Sequence, residues 1–361
     1  MAGNVDQPGR LGDPDRNLKT DPRTDVRLAR LLGQYGLDQN AQPASFGPDA
    51  PREQLLEYVQ AAEDGNAQFF DLILDGLDSV PGLQHHTETI VGSDGNEISL
   101  YITRPGGVSQ DLPALLYLHG GGMVMLKASD PIYVRLADEL AATGLIVITP
   151  EFRNGAGALG PHPFPAGLDD CAAALDWVHE NRSSLGISRL IVAGESGGAN
   201  LALATTIRAK RTGRLAAVDG VYVLCPFIYG QWGRDEQERR EVLPSTVEND
   251  GYMNTCHGSS MMAEVYDPGA QHAEDPLCWP YHATVEDLSG LPPHAMSVNE
   301  LDLLRDEGLA YHRRLLEAGV ESSVRTVPGF THAADLMFRA AIPEEFFATI
   351  RSVHRFAVGN D

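Results

Sequence analysis

Between residues 85 and 226 the chain alternates two kinds of pattern. Short, almost wholly apolar runs (ALLYLHG at 114–120, LIVITP at 145–150, RLIVAGE at 189–195, GVYVLCP at 220–226) predict buried strands. Between them, PIYVRLADELAATG, AGLDDCAAALDWVHENRSSLG and ANLALATTIRAKRTG carry apolar residues at helical spacing. Continuous apolar strands separated by helices mean a mostly parallel sheet covered on both faces. The rhythm returns after residue 290 with PHAMSV, LLRDEGLAYHRRLLEAG, SSVRTV and PEEFFATIRSVHRFA. Upstream, HTETIVGSDGNEISLYITRP predicts two strands around a turn at Ser93-Asp94-Gly95-Asn96.

Two segments stand outside this repeat. Residues 1–84 open with a polar, Pro-, Gly- and Asp-rich arm, expected to be partly mobile, and continue with an apolar helical pattern from Pro51 to about Leu77. Residues 227–290 interrupt the repeat with polar and aromatic residues. The expected division is therefore an α/β catalytic core (85–226 and 291–361) with an N-terminal arm (1–84) and an insertion (227–290). Both outlying segments are candidates for a cap over the C-terminal edge of the sheet, where open α/β sheets bind ligands.

Composition narrows the class. Of 361 residues, 43% are apolar and 21% charged, as in a soluble globular protein. Lys and Arg number 27 against 50 Asp and Glu, a net charge of −23, which argues against nucleic acid or an anionic membrane as partner. Cys171, Cys225, Cys256 and Cys278 are far apart and form no CxxC pair, so reduced thiols and a cytoplasmic location are expected. The first residues lack the apolar core of a secretory signal, and no stretch approaches a membrane span.

The candidate chemistry starts at Gly194-Glu195-Ser196-Gly197-Gly198, a G-x-S-x-G directly after one predicted strand and before a helix. That placement is what a nucleophile elbow needs; a Gly-Ser loop capping a helix is the plain alternative. A serine needs a general base. Among the downstream histidines, His332 in VPGFTHAAD follows the last strand in a loop, whereas His312 and His354 lie in helical patterns and His294 opens a strand. An acid is expected after HAMSV. Glu300 and Asp302 sit on that loop, and Asp302 is favoured; Asp306 and Glu307 fall in the first helical turn, where the dipole alone accounts for them. His119-Gly120-Gly121-Gly122 ends an early strand, in the manner of the HGGG element that turns backbone N–H groups toward an oxyanion. Neither a phosphate loop nor a metal site fits His119 and its glycines, and no cofactor is expected.

HGGGM (119–123), EFRN (151–154), HPFPAGLDDC (162–171), GESGGANLA (194–202), VENDGY (247–252), HAEDP (272–276), VNELDLLRDEG (298–308) and the HAAD after GFT resemble the hormone-sensitive-lipase-like (HGGG) family of bacterial esterases. The resemblance spans nearly the whole chain from about residue 85. It implies an α/β-hydrolase fold with a helical cap, Ser196, Asp302 and His332 as a catalytic triad, and the N–H groups of Gly121, Gly122 and Gly197 as the oxyanion hole. Two departures stand out: the elbow reads GESGG rather than GDSAG, and FRNGAGALGPHPFPA is longer and richer in glycine than the family run, which predicts a more mobile loop. The expected activity is hydrolysis of short-acyl esters or lactones through an acyl-enzyme. A serine amidase and a non-catalytic ligand-binding member of the fold are the alternatives. Met123, Phe227, Tyr252, Met253 and Phe330 flank the catalytic loops or lie in the insertion and are candidates for the pocket wall, with core packing as an equal reading. Monomer and homodimer are both compatible with the sequence.

Overall fold

The computed structural model describes residues 7–359. Eight strands form one sheet: β1 (Leu83–Val91), β2 (Glu97–Pro105), β3 (Leu112–Leu118), β4 (Ile146–Pro150), β5 (Ile187–Glu195), β6 (Gly220–Leu224), β7 (His294–Asn299) and β8 (Ser322–Val327). Their spatial order is β1-β2-β4-β3-β5-β6-β7-β8, with β2 antiparallel to both neighbours and β3 through β8 parallel. The apolar runs are central for a physical reason. β4, β6 and β7 are buried at every residue, which only strands covered on both faces can be.

Helices cover the two faces: α1 (Val26–Gln34), α2 (Arg52–Leu74), α3 (Pro131–Ala141), α4 (Ala166–Glu180), α5 (Gly197–Arg211), α6 (Cys256–Tyr266), α7 (Arg305–Glu317) and α8 (Pro343–Val358). Their ends follow local chemistry. Pro131 and Pro343 open α3 and α8, where the missing N–H is no loss, and the Thr255 side chain caps α6 by accepting from Gly258 N–H. Among the described residues, no helix is long and apolar enough to cross a membrane.

The parallel order brings the C-terminal ends of β3, β5, β6, β7 and β8 to one edge, so the loops at 119–126, 196, 225, 300–304 and 328–333 meet there. Helix α2 and the 227–290 segment pack near that edge, α2 contacting α6. The sequence predicts a polar, partly mobile arm. Its described part instead joins the core, because Leu18, Leu28 and Leu32 are fully buried. Residues 1–6 of that arm lie outside the described residues.

The arm is also tied down by charge. Arg23 pairs with Asp21 at 2.7 Å and with Glu248, which in turn takes Arg305 at 2.8 Å. The Tyr252 hydroxyl donates to Asp21 at 2.9 Å. Asn249, which accepts from Arg23, donates to the carbonyls of Glu300 and Asp302. Arg23→Ala removes the arm's bonds to Glu248 and Asn249 but leaves Glu248 paired with Arg305. It should therefore lower unfolding stability by about 1–3 kcal/mol, the usual worth of a charged hydrogen bond, in urea denaturation. An unchanged midpoint would mean that the network carries no stability.

Candidate active site

Strand β5 passes into α5 through Ser196, whose φ of 55° is a conformation that L residues adopt only under strain. The turn is held by Ser196 N–H donating to Leu224 O at 2.9 Å and by Phe227 N–H donating to Ser196 O at 3.1 Å. The flanking glycines are sterically required. A Cβ on Gly198 would lie 1.9 Å from Leu118 O, and one on Gly194 would lie 2.5 Å from the Gly198 backbone.

The 119–126 loop runs beside this elbow, so close that a Cβ on Gly197 would sit 2.6 Å from the nitrogens of Gly122 and Met123. Gly121 and Gly122, with φ of 97° and 61°, turn the backbone. Their N–H groups meet no acceptor among the described residues. His119 lies behind the loop: its ring stacks on Phe152 at 4.1 Å, its Nδ1–H donates to Gly120 O, and burial pushes its pKa down to about 4.

Two buried carboxyls, neither singled out by the sequence, pin this loop. Glu195 accepts from Gly120 N–H at 2.6 Å and from the Tyr117 hydroxyl. Burial raises its pKa from 4.5 to about 7, against the opposing pull of its donors. Glu63 of α2 accepts from Leu126 N–H at 2.7 Å and from Ala158 N–H at 2.8 Å. The glycine-rich run expected to be mobile is stitched to the same loop. Gly155 and Ala156 N–H donate to the carbonyls of Met123 and Val124, and the Asn154 amide donates to Leu126 O.

Beyond β8, His332 Nδ1–H donates to Asp302 Oδ2 at 2.7 Å. Asp302, 1% exposed, also accepts from Leu304 N–H through Oδ1. Burial pushes the His332 pKa down, but the Asp302 charge outweighs it and the net shift is upward. The other acids of the segment face elsewhere. Glu300 accepts from Gly329 N–H, and Asp306 accepts from Ser245 N–H. Glu307 is more than a first-turn dipole carboxylate: it is fully buried, accepts from Ile228 N–H at 3.1 Å, and burial raises its pKa well above the carboxylate range. Cys225, leaving β6 at φ 36°, brings its sulfur to this pair; the thiol, an Asp302 oxygen and a His332 nitrogen lie within 4.8 Å of one another.

Ser196, His332 and Gly120–Gly122 line one cavity of about 180 Å³. Its walls are apolar: Phe69 and Phe70 of α2, and Met125, Met253, Met262 and Met337. Of the five expected wall residues, Met253 is there. The other four lie outside this cavity, in the core-packing positions that are the equal expectation from the sequence. Met123 is 2% exposed, Phe227 stacks on Trp232 at 4.0 Å, the Tyr252 hydroxyl is held by Asp21, and Phe330 is 2% exposed. Each is a near neighbour in sequence of a cavity-lining or loop residue, but its side chain turns to the core. The apolar pattern of α2 shows that this helix needs a partner, yet not that Phe69 and Phe70 face the cavity.

The raised pKa of Glu195 has a signed consequence. The native state holds this proton more tightly than the unfolded chain, so the associated stability is complete below pH 4.5 and lost as pH rises through 7. The loss is on the order of 3 kcal/mol. Glu195→Gln should flatten that part of the stability–pH curve, read by urea unfolding at pH 5 and pH 8. Equal pH slopes in wild type and variant would contradict it.

The family described as the alpha/beta hydrolase fold matches residues 115–336. Carboxylesterase NlhH of Mycobacterium tuberculosis is 32% identical over 274 residues, covering 74% of this chain and 80% of the relative. Ethyl acetate hydrolase of Pseudomonas putida is 33% identical over 264 residues, covering 70% and 75%. Among solved structures, brefeldin A esterase, a bacterial homologue of human hormone-sensitive lipase, superposes with a TM-score of 0.94 at 45% identity, covering 98% of each chain. Esterase Est22 superposes at 0.83 with 36% identity, covering 95% of this chain and all of its own. With its loops gathered at one edge of a mostly parallel sheet, and matched over nearly its full length by the two solved esterases, the chain belongs to the alpha/beta hydrolase family and is one of its hormone-sensitive-lipase-like carboxylesterases.

Proposed function

We propose that this carboxylesterase works through Ser196 as nucleophile, His332 as general base and acid, and Asp302 as the group that orients the imidazole. The observation that carries the reading is the 2.7 Å bond from His332 Nδ1–H to Asp302 beside a cavity that His332 and Ser196 both line. That bond leaves Nε2 as the free ring nitrogen to take the serine proton, and Asp302 favours the imidazolium that results. Ser196 then attacks the ester carbonyl. The developing oxyanion is met by the N–H groups of Gly121, Gly122 and Gly197, each such donor being worth about 2.7–4 kcal/mol in the transition state. The imidazolium protonates the leaving alkoxide, and water repeats the sequence on the acyl-enzyme.

The substrate we infer is a neutral, short-acyl ester or a lactone. A mostly apolar wall with no lysine or arginine suits an uncharged acyl group. The cavity is slightly larger than the roughly 150 Å³ void known to hold benzene, and four flexible methionine side chains give it room to adapt. Residues 1–84 and 227–290 act as the cap in this reading, with α2 supplying Phe69 and Phe70 above the nucleophile.

Ser196→Ala should lower kcat for p-nitrophenyl butyrate by about 10⁶-fold, and Asp302→Asn by about 10⁴-fold. Near-normal turnover in Ser196→Ala would overturn the triad. Running brefeldin A ring opening beside the butyrate assay separates the substrate classes. Comparable kcat/KM for the macrolactone means that the cap admits a large ring; turnover of butyrate alone limits the enzyme to compact esters.

A further inference from the structure

Cys225, Asp302 and His332 share no sequence motif, and the apposition is made by the sheet. β6 and β7 are adjacent parallel strands, and Cys225 N–H donates to Ser297 O at 2.8 Å, which seats the thiol beside the Asp302 loop. β8 lies on the other side of β7 and delivers His332. The thiol, one carboxylate oxygen and one imidazole nitrogen then lie within 4.8 Å of one another, with Cys225 and Asp302 2% and 1% exposed.

We propose that Cys225, Asp302 and His332 form an inhibitory binding site for a thiophilic divalent cation, Zn²⁺ or a metal of similar ligand preference. Sulfur, nitrogen and oxygen from three side chains are donors that zinc accepts. With bonds of about 2.0 Å to nitrogen and oxygen, tetrahedral geometry places those two donors about 3.3 Å apart. The observed 2.7 Å between His332 and Asp302 must therefore open by about 0.6 Å, a side-chain rotation. Glu307 lies fully buried behind this pair, and its Oε2 has no hydrogen-bond partner among the described residues. His332 lines the cavity, which gives the ion an approach from solvent.

Binding releases the Cys225 proton, and the second ring proton of any imidazolium at His332, to solvent and changes no oxidation state. Through either ring nitrogen the base is then lost. Metal on Nε2 occupies the lone pair that would take the Ser196 proton. Metal on Nδ1 displaces that proton, and the neutral ring carries its single hydrogen on Nε2, the tautomer that cannot accept. Inhibition, though not binding, rests on His332 being the base of the proposed triad.

The test uses the full-length enzyme after chelator treatment. Co²⁺ and Zn²⁺ are titrated into wild type, Cys225→Ser and Cys225→Ala, with thiolate-to-Co²⁺ charge-transfer absorbance and butyrate hydrolysis followed in parallel. Expected are one equivalent of Co²⁺ with a thiolate band in wild type and loss of the band in both variants. The Zn²⁺ inhibition constant, measured against each variant's own metal-free rate, should rise about tenfold or more. A wild type without the band, or a band that persists in the variants, overturns the site. An inhibition constant that is the same in all three proteins also overturns it. A Cys225-dependent band without inhibition upholds the metal site and counts instead against His332 as the base. If neither variant folds, the wild-type titration decides through the presence or absence of the band.

Discussion

The contact on which this site depends is between two stretches of backbone. The first turn of α5 presses against the end of β3 so closely that Gly198 leaves no room for a Cβ beside Leu118 O, and Gly197 none beside the nitrogens of Gly122 and Met123. Side chains would hold these segments apart by their own width; glycine lets the peptide groups meet directly. The Ser196 turn and the N–H groups of the neighbouring loop are thus placed relative to each other by main-chain geometry. No rotamer enters that placement, which suits a site whose donors must be aimed before charge develops. The strain at Ser196, φ 55°, is carried by the same packing, because β6 accepts the serine N–H and the following segment returns a bond to its carbonyl.

A loop built from consecutive glycines resists collapse only if something fixes it from outside. Here that falls to buried acids. Glu195 takes Gly120 N–H from below, Glu63 takes Leu126 N–H from the helix above, and the 154–156 segment adds three further bonds. A buried carboxyl is costly unless its oxygens are used; both oxygens of Glu63 accept from backbone donors, and those of Glu195 accept from Gly120 N–H and the Tyr117 hydroxyl. Glu63 has a second consequence. It belongs to the helix that carries Phe69 and Phe70, so one residue ties the cavity's apolar roof to the loop that would bind the oxyanion. The arm does the same on the other side. Asp25 N–H reaches Gly329 O, three residues before His332, while Arg23 donates to Asn249, which donates to the Asp302 carbonyl.

How far this was legible follows from what sequence patterns encode. Strand and helix periods are local, so the α/β alternation, the hairpin at Ser93–Asn96 and the elbow after β5 could all be read directly. His332 and Asp302 could be picked out because each follows a strand in a loop, and the structure bonds them to each other. What could not be read depends on which way a side chain turns. Phe227 and Phe330 flank site residues yet face the core, whereas Phe69 and Phe70, about 125 positions from Ser196, face the cavity. The position of Glu307 suggests only a helix-dipole carboxylate, and the packed fold buries it with one oxygen accepting from Ile228 N–H. The arm's composition reads as polar, but three leucines at 18, 28 and 32 outweigh that average once they find a core.

These misses share a cause that bears on how the enzyme differs from its relatives. The groups of the proposed triad sit at strand ends, where the sheet dictates their positions, so a short motif suffices to find them. The groups that surround them come from the arm, α2 and the 227–290 segment, where no repeat constrains the chain. Cys225 belongs to both sets: its place is given by the end of β6, while its side chain is free to vary without disturbing the Ser297 bond, which uses only the backbone. A position fixed in space but open in chemistry, directly beside the His332–Asp302 pair, is where a chain can acquire a property its fold does not require. The same reasoning applies to Met253, held at φ 68° with its sulfur accepting from Thr331 next to His332. Differences in sensitivity and selectivity among enzymes sharing this sheet should therefore concentrate at such positions, which the backbone delivers to the site and the chemistry leaves unassigned.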